Sequence, residues 1–593
     1  MSRISACSRA KALIGIAILL AGSMTYSVAR AQTAVPTVER YLPPEPPHRS
    51  PIIRIDQDLQ KSDDASPLGV DLRGISLTGS GAIAKKPRAS GIAVEGIEGI
   101  DAAVVASRLD RYIGQPLTRK LMSEIQAAIA AAYREAGHPF VSITVPPQEV
   151  TTGVLQLRVI AFKVGKVAVS GAPAADFPPQ RIRTSPGELV DARRLETDLD
   201  WANRNPFRQV EAVFGPGKDL AQTNLTLQQT ARLPWQVFGG YANSGTRLTD
   251  RDRVFVGAAA APFTSLSAPY NDIYASFQLT SSKNFWSAQG QAFGDVGESK
   301  YFSPAARVVI PLGWRSSLEL TGDFVQTNER PSEPFRIRTL TTEGAAVYRQ
   351  ALSDILPWGR GDLLGGIELK RQNRTTFFTG VDVADGQAEV AQWLIGWTGR
   401  WTDGLGSNSF EIRLKSNPGG VLGHNTAADW SLFTNGRVSD VRTTFATLSY
   451  NRITPLADWS LKTDVLALVA ARPLPDTERI GLGGNDLVRG YVTEDGTVDQ
   501  GIVMRNSLYL PSFSPSRRPG FNDTLAPFLL ADVGWGRDVF FNRSTSLSSI
   551  GLGFDYRIGP NFSSTVTAAT ALSPGPDTPS GAWRIQARAV LSF

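Results

Sequence analysis

From about residue 233 to the end, the chain alternates apolar and polar side chains with period two, in short segments separated by turn residues. In DIYASFQLTS, Ile273, Ala275, Phe277 and Leu279 share one face, and Tyr274, Ser276, Gln278 and Thr280 share the other. SLELTGDF sets Leu318, Leu320 and Phe324 against Glu319, Thr321 and Asp323. The last segment, WRIQARAVLSF, puts Trp583, Ile585, Ala587, Ala589, Leu591 and Phe593 opposite Arg584, Gln586, Arg588 and Ser592. Period two is the side-chain repeat of a strand, so this region predicts many strands and little helix.

Upstream the rhythm is mixed. GVDLRGISLTG reads as a strand, and DAAVVASRLDRYIG as a helix opened by Asp101. In TRKLMSEIQAAIAAAYREAG, Leu121, Ile125, Ile129 and Tyr133 fall on one helical face, Thr118 caps the start and Gly137 stops the end. FVSITVPPQ and VLQLRVIAF follow as strands. A shorter unit repeats the theme: KVGKVAVSG, the helix DARRLETDLDWANRNP, then FRQVEAVFGPG and TNLTLQQTA. The expectation is two small α/β domains at 68–162 and 163–232. Before them, 32–67 is rich in proline and charge and reads as a leading linker with room for a short helix within 55–62.

Either a soluble all-β fold or a closed membrane barrel would produce the strands after 233. Residues 1–31 favour the barrel: Arg3, Arg9 and Lys11 precede the apolar LIGIAILLAG, and Ala29-Arg30-Ala31 fits a cleavage site, as in an export signal peptide. Strands near ten residues, aromatic strand ends and a terminal Phe593 point the same way. Phe593 is the candidate barrel signal, which implies contact with a barrel assembly machinery and then with outer-membrane lipid. Five strands are expected after residue 501, near 501–510, 526–535, 547–557, 561–571 and 583–593. Eleven more are expected before 471, and 284–296 and 428–435 are two further, weaker candidates; the count runs from sixteen to eighteen, and the even-number preference of such barrels gives sixteen.

Charge and cysteine usage narrow the chemistry. Of the formal +6, four positive charges (Arg3, Arg9, Lys11, Arg30) lie in the first thirty-one residues, leaving +2 and no reason to expect nucleic acid. The single cysteine, Cys7, also lies there, which removes thiol chemistry and disulfides from the rest. The three histidines, His48, His138 and His424, share no ligand spacing, so no metal and no cofactor is expected. No G-x-S-x-G elbow is present, and an enzyme is not expected; a barrel hydrolase using His424 is the only catalytic alternative.

One stretch, GLGGNDLVRGY at 481–491, clusters glycines around a single cation, Arg489. It fits neither G-x-G-x-x-G nor G-x-x-x-x-G-K-[ST], and no helix start follows, so phosphate binding is a poor reading. It lies in a connection at about 471–501, far longer than a hairpin needs. Thirty residues folded back reach about 50 Å at ~3.3 Å per residue, beyond an apolar band roughly 25 Å tall. The loop can therefore enter a barrel lumen. A cation there calls for a carboxylate, and Asp532 in FLLADVGWG is the candidate. Alternation places Asp532 on one face with Phe528, Leu530 and Gly534, an apolar patch on which an inserted tip would pack.

Gly483-Gly484 followed by Val488-Arg489-Gly490-Tyr491 resembles the VRGY loop of two-partner secretion transporters, the haemolysin and filamentous-haemagglutinin branch of the barrel-assembly superfamily. PLGWRSSLELTGDF and GIELKRQ are similar to strands of that family. The resemblance implies two polypeptide-transport-associated (POTRA) domains, a sixteen-stranded barrel and pairing of Arg489 with Asp532. It further implies an outer-membrane pore of a Gram-negative bacterium with periplasmic POTRA domains, exporting one large exoprotein that carries an N-terminal secretion domain, without ATP. Two departures stand out: Leu530 replaces the family's usual aromatic, and the leading segment is proline-rich where the family often has a plug helix. Candidate cargo-binding edges are Val141 and Ile143 in one POTRA unit and Val167 and Val169 in the other, available for strand addition. The alternatives are a barrel assembly and insertion factor, and a passive porin.

Overall fold

The computed structural model describes residues 41–43, 53–54, 62–79, 90–171, 179–219, 221–231, 233–261, 272–282 and 300–593, except 314, 333, 357, 358 and 519. The expected export signal, the 55–62 helix (but for residue 62) and the 284–296 strand lie outside them. The chain divides into two units: 48–232, and 1–47 with 233–593.

In the first unit the helix Arg119–Ala136 forms where its pattern predicts. The Thr118 hydroxyl accepts from Leu121 N, Gly137 ends the helix at φ 97°, and Leu121, Ile125, Ile129 and Tyr133 are buried. They pack on a four-stranded sheet ordered Gly91–Glu95, Gly74–Thr78, Val154–Ala161, Val141–Thr144. Two details differ from the sequence reading. GVDLRGISLTG is not one strand: Pro67–Asp71 pairs with Pro116–Thr118, and Gly74–Thr78 lies fully buried inside the sheet. Gly91–Glu95 is an additional edge strand. It is five residues long, half exposed and bounded by glycines, which leaves little alternation to read.

A second sheet is ordered Ile53–Arg54, Arg208–Pro216, Gln222–Ala231, Lys163–Gly171. The helix Ala192–Ala202 covers it, capped by Asp191 and burying Leu195 and Leu199. Asp198, also buried, accepts from Arg183 N at 2.7 Å and Nε at 2.9 Å. Ile53 and Arg54 pair in parallel with Ala212 and Val213, so two residues of the expected linker act as an edge strand.

In the second unit sixteen antiparallel strands close into a barrel, from Trp235–Ala242 to Trp583–Ser592. Five begin after residue 499 and eleven end before 471. Closure pairs Phe238–Ala242 with Arg588–Ser592. Phe593 extends it, exchanging backbone hydrogen bonds of 3.0 and 2.9 Å with Val237. A closed ring leaves no unpaired edge, the condition for strands in lipid. Along Asp523–Asp538 the alternation is regular: Leu529, Val533 and Trp535 are exposed on the outer face, while Phe528, Leu530, Asp532 and Gly534 are buried inward.

The weak strand candidate at 428–435 is a helix, Ala427–Phe433. Thr426 caps it by accepting from Asp429 N. Trp430 and Phe433, three residues apart, turn one face onto Ala388 and Val390, and the Trp430 indole donates to Glu389 O at 2.7 Å. The three large apolar residues Trp430, Leu432 and Phe433 within seven positions resemble a strand until the cap is weighed.

Candidate functional site

The connection between Ala470 and Gln500 follows the eleventh barrel strand, so it leaves at the end opposite chain entry and folds back into the lumen. It is a structured element. Ile480–Gly481 pairs with Thr497–Val498, and Asp499 closes the base by accepting from Leu474 N at 2.9 Å and Val539 N at 2.8 Å. Glycines permit the tight course: Gly484 and Gly490 sit at φ 127° and 92°, and a Cβ on Gly483 would meet Val492 O at 2.3 Å.

Arg489 and Asp532 meet. Nη2 and Nε reach the two carboxylate oxygens at 2.6 and 2.7 Å, a bidentate fork, and the Arg489 backbone N–H adds a third bond at 3.1 Å. The remaining guanidinium donors reach Ser507 Oγ and Asn506 O, both at 3.1 Å. The two residues are 4% and 1% exposed, so the charges depend on each other rather than on water. Val488 lies over Gly534, where a Cβ would come within 2.8 Å of Val488 Cγ2. The Tyr491 hydroxyl stands 2.6 Å from Ser573 O and accepts from Ser548 N at 3.2 Å.

The apolar seat of the loop is wider than the expected patch: Arg489 lies 5.8 Å from the centre of the Phe528 ring and Gly490 against Ala569, but most of the loop's apolar side chains pack elsewhere. Leu474, Ile480, Leu482, Leu487, Val488 and Tyr491 form one cluster with wall residues including Phe445, Leu466, Leu468, Val503 and Leu547. Phe528 and Leu530 form a separate cluster with Ala569, joined by Tyr509. Sequence reasoning missed this seat, although a signal exists. The inner face of Trp459–Ala470 begins with Lys462 and Asp464 and continues with Leu466, Leu468 and Ala470, a polar lumen face turning apolar partway.

Further ion pairs, also missed, tie the loop to its surroundings. Arg437, from the segment holding the short helix, reaches Leu474 O at 2.7 Å and Asp476 at 2.5 Å. Arg479 pairs with Asp538 and, at 3.2 Å, with Asp499. Asp495, fully buried, accepts from Asp577 N at 2.6 Å and Thr578 N at 3.1 Å. Glu478 reaches the opposite wall, 2.5 Å from Lys370 Nζ. A lumen cavity of 490 Å³ remains, lined by Tyr41, Lys370, Glu478, Asp486, Arg489 and Arg505 among others.

The other candidate residues fall in two places. Val141 and Ile143 belong to an edge strand, but their side chains are buried core, and the Ile143 carbonyl already accepts from Gln126 Nε2 at 3.0 Å. Val167 and Val169 lie on the edge strand Lys163–Gly171 and are partly buried. Its first two residues pair with 187–189, so that among the described residues 165–171 is the longer edge without a strand partner. His424 lies beside Asp429, at 3.4 Å, in the segment before the short helix. Among the described residues no group of three or more His, Cys, Asp or Glu is placed to hold a metal ion.

A closed barrel with a long loop ion-paired in its lumen and α/β modules before it in the chain defines an outer-membrane barrel transporter. Residues 358–556 match the haemolysin secretion/activation protein family ShlB/FhaC/HecB, and residues 88–161 match the ShlB-type POTRA domain. The chain is a two-partner secretion outer-membrane transporter, with its POTRA domains in the periplasm. It is 22% identical over 410 residues to the outer membrane transporter CdiB-2 of Burkholderia pseudomallei, covering 68% of this chain and 66% of that protein. It is 21% identical over 494 residues to the heme/hemopexin transporter protein HuxB of Haemophilus influenzae, covering 79% and 80%. CdiB from Escherichia coli shares the fold at a TM-score of 0.64 and 16% identity, and CdiB from Acinetobacter baumannii at 0.56 and 16%, each over the full length of both chains.

Proposed function

We propose that this protein carries one large partner exoprotein from the periplasm to the cell surface through its barrel. The observation that carries the reading is the inserted loop: Arg489 and Asp532 clasp it inside a lumen walled by charged and polar groups, in a chain with a ShlB-type POTRA domain. Such a lumen lets an extended chain slide without adhering. The POTRA modules are the receptor. An unfolded segment adds to the open edge at 165–171 by backbone pairing, which demands little of the cargo's sequence. Val167 and Val169 lie on that edge, whereas Ile143 is less open because Gln126 occupies its carbonyl. Folding of the cargo outside drives the passage, and no ATP is consumed. The residues serve binding and positioning, not catalysis.

The test compares secreted and outer-membrane proteins with and without the gene. Loss of one large exoprotein from the medium, with other barrels intact, is expected. Broad loss of outer-membrane barrels would make the protein an assembly factor instead, and no change in either fraction would leave a porin.

A further inference from the structure

Besides its contacts through Arg437, Arg479 and Asp495, the inserted loop meets the barrel wall at two buried charge clusters, around Arg489 and around Glu478, that differ in kind. At Arg489 a guanidinium grips Asp532 with a bidentate fork and a backbone bond. Among the described residues Asp532 has no second side-chain cation, so withdrawing Arg489 strands a buried carboxylate. Glu478 is held otherwise. Its two oxygens lie 2.5 Å from Lys370 Nζ and 3.9 Å from Lys415 Nζ. The same ammonium groups serve wall carboxylates: Lys370 is 3.3 Å from Glu343 and 3.8 Å from Glu368, and Lys415 is 2.8 Å from Glu368. Gln392 also donates to Glu368, at 2.7 Å. The side chains of Glu478, Lys370 and Glu343 are each 4% exposed.

Charge counting separates the clusters. Among the described ion pairs of this cluster, the ammonium groups of Lys370 and Lys415 match the carboxylates of Glu343 and Glu368 one for one, and Glu478 adds a third carboxylate. Lysine is a flexible point charge that changes partners readily, whereas the planar arginine fork does not. Losing Glu478 leaves the wall cluster paired. Losing Arg489 does not leave Asp532 paired. The two contacts also lie far apart on the ring: Lys370 is on the seventh strand and Asp532 on the thirteenth.

We propose that Glu478 with Lys370 and Lys415 is a releasable latch holding the inserted loop across the lumen, while Arg489–Asp532 is the fixed pin. Glu478 is a positioning residue. Its release detaches the Glu478 side of the loop from the seventh-to-ninth-strand wall, where Glu478, Lys370 and Lys415 line a 490 Å³ lumen cavity, and so widens that part of the lumen. The inference rests on the reading of the lumen as the export path.

The test measures single-channel conductance of the full-length protein in planar bilayers, with heat-modifiable mobility as the check on folding. Glu478→Gln keeps shape and removes the charge. It is expected to fold and to show openings several-fold more frequent or larger than the natural protein at the same salt. A folded Glu478→Gln protein with an indistinguishable conductance record would overturn the latch. Should that variant not fold, a Glu478→Cys/Lys370→Cys protein joined by a cleavable bis-maleimide of about 10 Å replaces it, the first thirty-one residues holding the chain's only natural cysteine. The joined form should stay in its low-conductance state and regain openings on cleavage; equal conductance before and after cleavage would also overturn the latch. Neither measurement involves cargo. A failed latch beside intact gene-dependent secretion therefore refutes the latch alone, and lost gene dependence refutes the transport reading alone.

Discussion

Among the described residues Asp532 is the one carboxylate ion-paired with Arg489, and the pair is almost fully buried at the edge of the lumen cavity. Breaking a buried pair by removing one partner costs about 3–5 kcal/mol, because the survivor keeps its charge and loses its solvation. Arg489→Ala should therefore lower the unfolding midpoint of the barrel in lipid vesicles, with a loss near ~3 kcal/mol since lumen water tempers the penalty. Arg489→Lys keeps the charge but not the fork, so its loss should be smaller. Combining Arg489→Asp with Asp532→Arg should restore part of what each single swap removes. Full additivity of the two swaps would show that the pair is not coupled. A Cβ on the neighbouring Gly534 would push Val488 off its seat, which explains a glycine in the interior of a wall strand.

At the scale of elements, the edge strand Lys163–Gly171 has no second strand partner over 165–171 among the described residues, while its inner side pairs with Gln222–Ala231. A photo-reactive residue at Ser170, an exposed position on that strand, should capture the exoprotein's N-terminal region during secretion. The same probe at Lys120, exposed on the helix Arg119–Ala136, should give adducts about tenfold weaker; equal capture at both would remove the edge from the mechanism. Legibility in the sequence divides along similar lines. Helices with a cap, a stop and a 3.6-residue face, such as Arg119–Ala136, were readable, as were strands with one lipid face. Gly91–Glu95 was not, being short and half exposed, and Ala427–Phe433 imitated a strand. Within the candidate site Arg489 and Asp532 could be named because a cation in a lumen demands one carboxylate. The contacts of Glu478, Asp495 and Arg437 could not, since each joins segments whose proximity exists only after the barrel closes.

The whole molecule separates into parts that carry their own cores. Strand pairing, seam closure through Phe593 and the loop's seat on Leu466, Leu468 and Leu547 all lie within 233–593. The buried cores under Arg119–Ala136 and Ala192–Ala202 lie within 62–231. Stability should follow that division, because burial and closure do not require the other part. A chain keeping residues 1–47 joined to 233–593 is thus expected to reach the outer membrane and show heat-modifiable mobility with a midpoint close to that of the full protein. Its bilayer conductance should persist, since the loop and its wall contacts at Arg489, Glu478 and Arg479 all lie within 233–593. Secretion should fall to background, because the receptor for the exoprotein is gone. Running mobility, conductance and secretion on one preparation separates a barrel that cannot fold from a pore that cannot recognise its cargo. If the shortened chain still secretes the exoprotein, recognition resides in the barrel and the receptor role assigned to the POTRA edge is wrong.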